Sequence, residues 1–381
     1  MSEIRPAKDT SYRDRVKAAL SFEKPDRTPC DFAAVPEVWE RLSTHFSLAD
    51  RNAILEKLEV DCRVVSYDSF CQNPHVDRRM VDLEISQERS SVGGMWRKLE
   101  PDGSNRDIWG AHRRKVPGHT GAQDQFASFP LAQTTSLEDL PSYDWPHSDW
   151  WDFSLLRPEI MKLNETAVHS IRFRLGSVFE TSWSLCGFEK FLLDLTLNPT
   201  LPTYVMERVS EVHLENLRKV LNEAGDLIDI VYFYDDIATQ QGLLISPKMY
   251  EQFVQPFHQQ IIDVCKEFAI PTMMHCCGSV YPMIRTLIRM GLRILNPIQP
   301  TAKEMGPERL REEFGEELVF HGGIDIQRFL PSASAAQVEE EVKRICQILG
   351  KQGGYIMSGS HHLQAETPIE NILAMYGALK Q

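Results

Sequence analysis

No stretch of the 381 residues is apolar for long enough to span a bilayer. The opening residues, Met1-Ser-Glu-Ile-Arg-Pro-Ala-Lys-Asp, lack the apolar core of a secretory signal. Positive charge is in deficit: 41 Lys and Arg against 54 Asp and Glu leave a formal net charge of −13. That balance argues against a nucleic-acid surface and against docking on anionic lipid. The eight cysteines, at 30, 62, 71, 186, 265, 276, 277 and 346, show no spacing of a small secreted framework. A reducing cytoplasm, with most of these thiols in the core, is the expectation. No Gly-x-Gly-x-x-Gly follows the first apolar strand, which disfavours a dinucleotide-binding domain.

What is present is a normal hydrophobic share, 42%, enough for the core of one large α/β domain or two ordinary ones. Helices are expected over 12–22, 38–46 and 48–58, and strands over 30–34 and 61–67. From 73 to 149 tryptophan, glycine, proline and charge replace helical periodicity, as in Gly93-Gly-Met-Trp and Arg106-Asp-Ile-Trp-Gly. This stretch reads as an insertion of hairpins and loops within a single domain. From 167 onward strands alternate with helices. Strands are expected at 170–176, 228–234, 271–274, 292–295, 318–320 and 354–357. Helices are expected at 189–196, 201–224, 246–268, 281–290, 303–314 and 335–349, with Gly225, Gly291, Gly315 and Gly350 closing four of them. The count is about eight β/α units, that of an α/β TIM (β/α)8 barrel.

Such a barrel carries its chemistry at the C-terminal ends of its strands. Read in turn, those ends offer Asp68, Glu180, Asp235 and Asp236 with Gln240 and Gln241. His275 and Cys277 come next, followed by Asn296 and Gln299, His321 with Asp325, and Ser358-Gly-Ser-His-His. The densest is Pro271-Thr-Met-Met-His-Cys-Cys-Gly278. Side chains alternate along a strand, so His275 and Cys277 share a face and Cys276 takes the other. An imidazole and a thiol so placed can hold two corners of a tetrahedral zinc. His361 or His362, from a different strand end, can supply the third. The plainer reading is a buried histidine beside two cysteines that pack as small hydrophobes. Plain readings stand for the others too: His321 donating to a backbone carbonyl, one of Asp235 and Asp236 capping a turn, Asp68 an ordinary loop aspartate, Trp183 a pocket wall.

Four segments together resemble the uroporphyrinogen decarboxylase superfamily: His275-Cys-Cys-Gly-Ser, Gly291-Leu-Arg-Ile-Leu-Asn-Pro-Ile-Gln299, His321-Gly-Gly-Ile-Asp-Ile-Gln327, and Gly353-Gly-Tyr-Ile-Met-Ser-Gly-Ser-His-His-Leu-Gln-Ala-Glu-Thr-Pro. Phe179-Glu-Thr-Ser-Trp-Ser-Leu-Cys-Gly and Asp235-Asp-Ile-Ala-Thr-Gln-Gln-Gly fit as well. The resemblance implies the TIM barrel. Its decarboxylase branch carries an arginine-rich N-terminal signature; the matching stretch here, Thr28 to Glu40, has no arginine. Asp68 matches the decarboxylase aspartate, alone.

The other branch comprises zinc methyltransferases that exchange a methyl group with a corrinoid protein. Their His-x-Cys pair matches His275-x-Cys277, and their later cysteine ligand falls at His361. The resemblance therefore implies Zn(2+) on His275, Cys277 and His361, with Asp236 and Glu180 as catalytic carboxylates. Asp68, Gln240, Gln299, His321 and Trp183 are the expected substrate contacts. No cobalamin-binding Asp-x-His-x-x-Gly run occurs, so the corrinoid (cobalamin) is expected on a partner protein. The small partner would be a methyl donor or acceptor, a methyl ether or thiol; by analogy the chain forms a homodimer. The competing expectations are a metal-independent decarboxylase acting on a tetrapyrrole or smaller acid, and a non-catalytic binding protein.

Overall fold

A computed structural model describes residues 10–67, 97–118, 121–140 and 142–380. Thirteen strands occur among them: β1 Cys62–Ser66, β2 Arg97–Leu99, β3 Asn105–Asp107, β4 His112–Gly118, β5 Gly121–Ser128, β6 Ser170–Arg174, β7 Ile230–Tyr234, β8 Ala238–Thr239, β9 Gly242–Leu243, β10 Thr272–His275, β11 Ile294–Ile298, β12 Val319–Ile324 and β13 Tyr355–Gly359. The strands that alternate with helices pair in parallel, and the fold is of the TIM-barrel class. Contacts divide the chain into two compact units.

The first unit comprises Met1–Arg63, Ile160–Arg172 and Arg293–Gln381. Its parallel strands β11, β12 and β13 are buried at every residue, as expected of strands covered on both faces. The expected strand at 30–34 is present as extended chain with only two single bridges, Cys30 to Met357 and Ala34 to Leu363. Between them the Phe32 N–H turns aside to Asp31 Oδ1, 2.8 Å away, and interrupts the ladder. The helix Ala335–Leu349 opens on a capping box between Ser334 and Gln337. The helix expected from 303 begins at Pro307, which lacks an N–H and suits the first helical position.

The second unit comprises Val64–Glu159 and Phe173–Leu292. Here β7 and β10 run parallel with His275 opposite Tyr234. Strands β2 to β5 form an antiparallel sheet that lies within the stretch 73–149. The helix Thr200–Ala224 does not end on a left-handed glycine: Gly225 has φ −60° and continues into a short 3-10 turn. Only Gly291, at φ 101°, closes its helix in the left-handed form; Gly315 and Gly350 keep negative φ. A helix that periodicity did not suggest, Phe179–Cys186, follows β6. Its run of Ser and Thr disguised it, since these residues compete for local backbone bonds. Among the described residues no helix is long and apolar enough to cross a membrane.

Candidate metal centre

Strand β10 ends at His275, and the chain then turns sharply. Gly278 holds φ +88°, and a Cβ there would lie 2.4 Å from the carbonyl carbon of Thr239, so only glycine fits this approach. The Ser279 N–H then donates to the Thr239 carbonyl at 2.7 Å. This turn folds Cys277 back until its Sγ lies 3.2 Å from His275 Nε2. Cys276 faces away and is fully buried. Tyr232 stands edge-on to the His275 ring at 6.1 Å.

Two donor side chains, His275 and Cys277, face each other at the end of β10, and an imidazole with a thiol is a donor pair that zinc takes. A tetrahedral zinc with N at about 2.0 Å and S at about 2.3 Å separates those two donors by roughly 3.6 Å. The nitrogen–sulfur spacing is a few tenths of an ångström short of that, and the donor set suits the ion.

Three carboxyl groups surround the His275–Cys277 pair, each with a different task. Asp235 is fully buried and accepts three bonds: from the Val178 N–H at 3.0 Å, the Glu180 N–H at 2.7 Å and His258 Nε2 at 2.7 Å. It fixes the start of the helix Phe179–Cys186. Asp236 accepts from the Cys277 N–H at 2.6 Å and lies 3.9 Å from His275 Nε2. Glu180 Oε1 accepts from the Asp236 N–H at 2.7 Å. Burial, with Asp236 and Asp235 beside it, pushes the Glu180 carboxyl up to about 8. Burial and the same carboxyls, Asp236 and Glu180, push the Cys277 thiol well above its ordinary value.

Trp183, on the helix Phe179–Cys186, meets Phe188 and Phe126 edge-on, both at 5.4 Å. Gln240 sits at the tip of the β8–β9 hairpin. Gln299 is 5% exposed and His321 2%. The His321 ring lies between Asn296 Nδ2 at 2.6 Å and Asp31 Oδ2 at 3.0 Å. Asp31 also pairs with Arg172 at 2.8 Å. Asp68 lies outside the described residues.

Sequence reasoning passed over this Asp31–Arg172–His321 cluster, although Ser170-Ile-Arg-Phe-Arg alternates charge with apolar residues and so announces two arginines on one face of β6. It also passed over His258. A histidine in mid-helix carries no signal until its partner Asp235 is seen.

The family described as Uroporphyrinogen decarboxylase (URO-D) matches residues 166–381. Methylcobamide:CoM methyltransferase MtbA of Methanosarcina acetivorans is 20% identical over 176 residues, 46% of this chain and 48% of that protein. Uroporphyrinogen decarboxylase of Syntrophotalea carbinolica is 22% identical over 191 residues, 45% and 54% of the two chains. The same enzyme of Hordeum vulgare is 22% identical over 261 residues, 66% and 73%. The chain thus spans about half the length of the first two relatives. Among solved structures, a methyltransferase from Methanosarcina mazei superposes with TM-score 0.66 at 14% identity, covering 98% of this chain and 99% of that one.

Proposed function

We propose, on the premise that this chain belongs to the uroporphyrinogen decarboxylase family, that it is a zinc-dependent methyltransferase. It moves a methyl group between a small methylated substrate, a methyl ether or thiol, and a corrinoid protein. The observation that carries this reading is the His275–Cys277 pair, at 3.2 Å, to which His361 is proposed as the third donor. A methyltransferase among the relatives supports it.

In this proposal His275, Cys277 and His361 hold the zinc. Bound there, it supplies Lewis acidity and one open position for a substrate oxygen or thiol. The protein's own groups do the rest. Asp236 takes the Cys277 backbone N–H and keeps the thiol turned toward His275. Glu180, whose carboxyl burial and the neighbouring carboxyls hold above its ordinary value, is proposed to give a proton to a leaving group or hold one during acceptance. Asp235 holds Glu180 in position by its backbone. Trp183, Gln240 and Asp68 are proposed to contact substrate. The corrinoid cofactor resides on a separate protein, and the expected compartment is the cytoplasm.

Two decarboxylases among the relatives favour a second reading, removal of a carboxyl group from a tetrapyrrole or smaller acid. One assay separates them. Zinc-loaded protein is mixed with reduced cobalamin and a panel of methyl ethers and methyl thioethers, and methylcobalamin is followed by its absorbance. Methylcobalamin formation supports the proposal; CO2 release from carboxylated substrates without it favours the decarboxylase.

A further inference from the structure

We infer that Tyr250 and His258 are positioning residues for Glu180, acting through Asp235; the inference rests on the proposed role of Glu180 as the proton-carrying group. Four groups form a continuous buried line. Tyr250 Oη lies 3.0 Å from His258 Nδ1, and His258 Nε2 lies 2.7 Å from Asp235 Oδ2. Asp235 Oδ1 accepts the Glu180 N–H at 2.7 Å, and Glu180 Oε1 accepts the Asp236 N–H at 2.7 Å. Tyr250 is 1% exposed, and His258 and Asp235 are 0%. A carboxylate only accepts, so His258 presents its Nε2–H to Asp235. In the neutral ring Nδ1 is then the acceptor that faces the Tyr250 hydroxyl, which also lies 3.7 Å from Met290 Sδ.

The helix itself is deformed to make this line. Its residues Tyr250–Val254 form a π turn between Pro247–Met249 and the regular helix Gln255–Glu267. Eight residues of undistorted α-helix would leave Tyr250 and His258 about 80° apart around the axis. One wide turn absorbs an extra residue and returns them to one face. Without it the hydroxyl would miss the ring. A π turn of poorer hydrogen-bond geometry, placed where it aligns two fully buried polar groups, points to a selected alignment rather than to filling of the core. The far end of the line is the amide of Glu180, some seventy positions earlier in the chain. Val178 shares the same carboxylate, so both amides report whether Asp235 is held.

The test is hydrogen exchange by mass spectrometry on the full chain, comparing peptides over 177–187 and 247–268 in Tyr250→Phe, His258→Ala and His258→Gln. With the line intact in wild type, Tyr250→Phe and His258→Ala should speed exchange at 177–187 on the order of tenfold, the equivalent of one lost buried bond. His258→Gln, which keeps a donor for Asp235, should stay near wild type in that segment. Faster exchange confined to 247–268, with 177–187 unchanged, overturns the inference and leaves Tyr250 and His258 as local packing groups. If His258→Ala loosens every segment, Tyr250→Phe, which removes only a hydroxyl, decides. Zinc content measured on the same samples keeps the two readings apart. Wild type without zinc sinks the metal proposal and leaves the exchange result standing, while unchanged zinc with unchanged exchange at 177–187 sinks only the inference.

Discussion

The backbone N–H of Cys277 donates to Asp236 Oδ1 at 2.6 Å, so a thiol and a carboxyl 41 positions apart in the chain are locked at adjoining strand ends. A parallel sheet makes this pairing natural, because β7 and β10 run side by side and finish at the same level. The carboxyl restrains the thiol through the main chain and leaves its sulfur toward His275.

Purified protein should therefore carry about one zinc per chain, as expected of a three-ligand catalytic site. His275→Ala and Cys277→Ala should each lose it, and His361→Ala should weaken it. Plasma emission analysis of the purified variants checks this. Stoichiometric zinc in both the His275 and Cys277 variants would remove those residues from the site.

Much of this was legible in the sequence, for identifiable reasons. Fully buried parallel strands such as Ile294–Ile298 read as apolar runs, but strand alternation does not bring the donors together: β10 ends at His275, and the turn at Gly278 returns Cys277 to it. What stayed hidden depends on partners distant in sequence. Adjacent aspartates are chemically identical on paper, yet Asp235 is an interior clamp and Asp236 a neighbour of Cys277. The π turn at Tyr250 left no mark, because its cause, the alignment on His258, is tertiary.

Asp236→Asn keeps an acceptor for the Cys277 N–H but alters the charge beside His275. Loss of such a supporting partner costs roughly 10- to 100-fold in metal affinity. Competition titration with a zinc-sensitive dye should show that weakening with stoichiometry still reaching one. Affinity equal to wild type would show that Asp236 plays no part in supporting the ligands.

Glu180 gives a pH signature whose sign is fixed by its shift. The folded carboxyl is pushed up to about 8 from an ordinary value of 4.5, so between those limits the native metal-free protein binds more protons than the unfolded chain. Stability must then fall as pH rises through that window and level off above it. Glu180→Gln should flatten this slope while remaining folded. Urea denaturation of metal-free wild type and variant at pH 5, 7 and 9 measures it; parallel curves for the two proteins would contradict the assignment.

The buried Asp31 behaves in the opposite sense. Burial raises its carboxyl, but Arg172 and His321 outweigh that and bring it down to about 2 from 3.8. Its contribution is complete above 3.8 and is lost only as pH falls toward 2. At neutral pH, Arg172→Met leaves a buried carboxylate short of its cation, a change that costs about 3 to 5 kcal/mol. The double variant Arg172→Met with Asp31→Asn should recover part of that loss, since no uncompensated charge remains. A double variant no more stable than the single one would mean that lost packing, and not the stranded charge, sets the cost.

Gly278 offers the sharpest separation of shape from chemistry. It bears no ligand atom, yet a Cβ at this position would sit 2.4 Å from the backbone of Thr239 while the chain holds φ +88°. Gly278→Ala must therefore either push the β8–β9 hairpin away or unwind the turn that carries Cys277 back toward His275. In both cases the nitrogen–sulfur pair opens, although every donor is still present in the sequence. The expected result is a folded protein with zinc affinity reduced by at least tenfold, because ligand placement and not ligand identity has changed. Gly278→Asn, which tolerates positive φ better than Ala, should fare no better if the collision with Thr239 dominates, and better if backbone strain does. Zinc titration of the two variants side by side measures which force shapes the turn, and unimpaired zinc binding in both would show that the turn after Cys277 does not set the spacing of the donors.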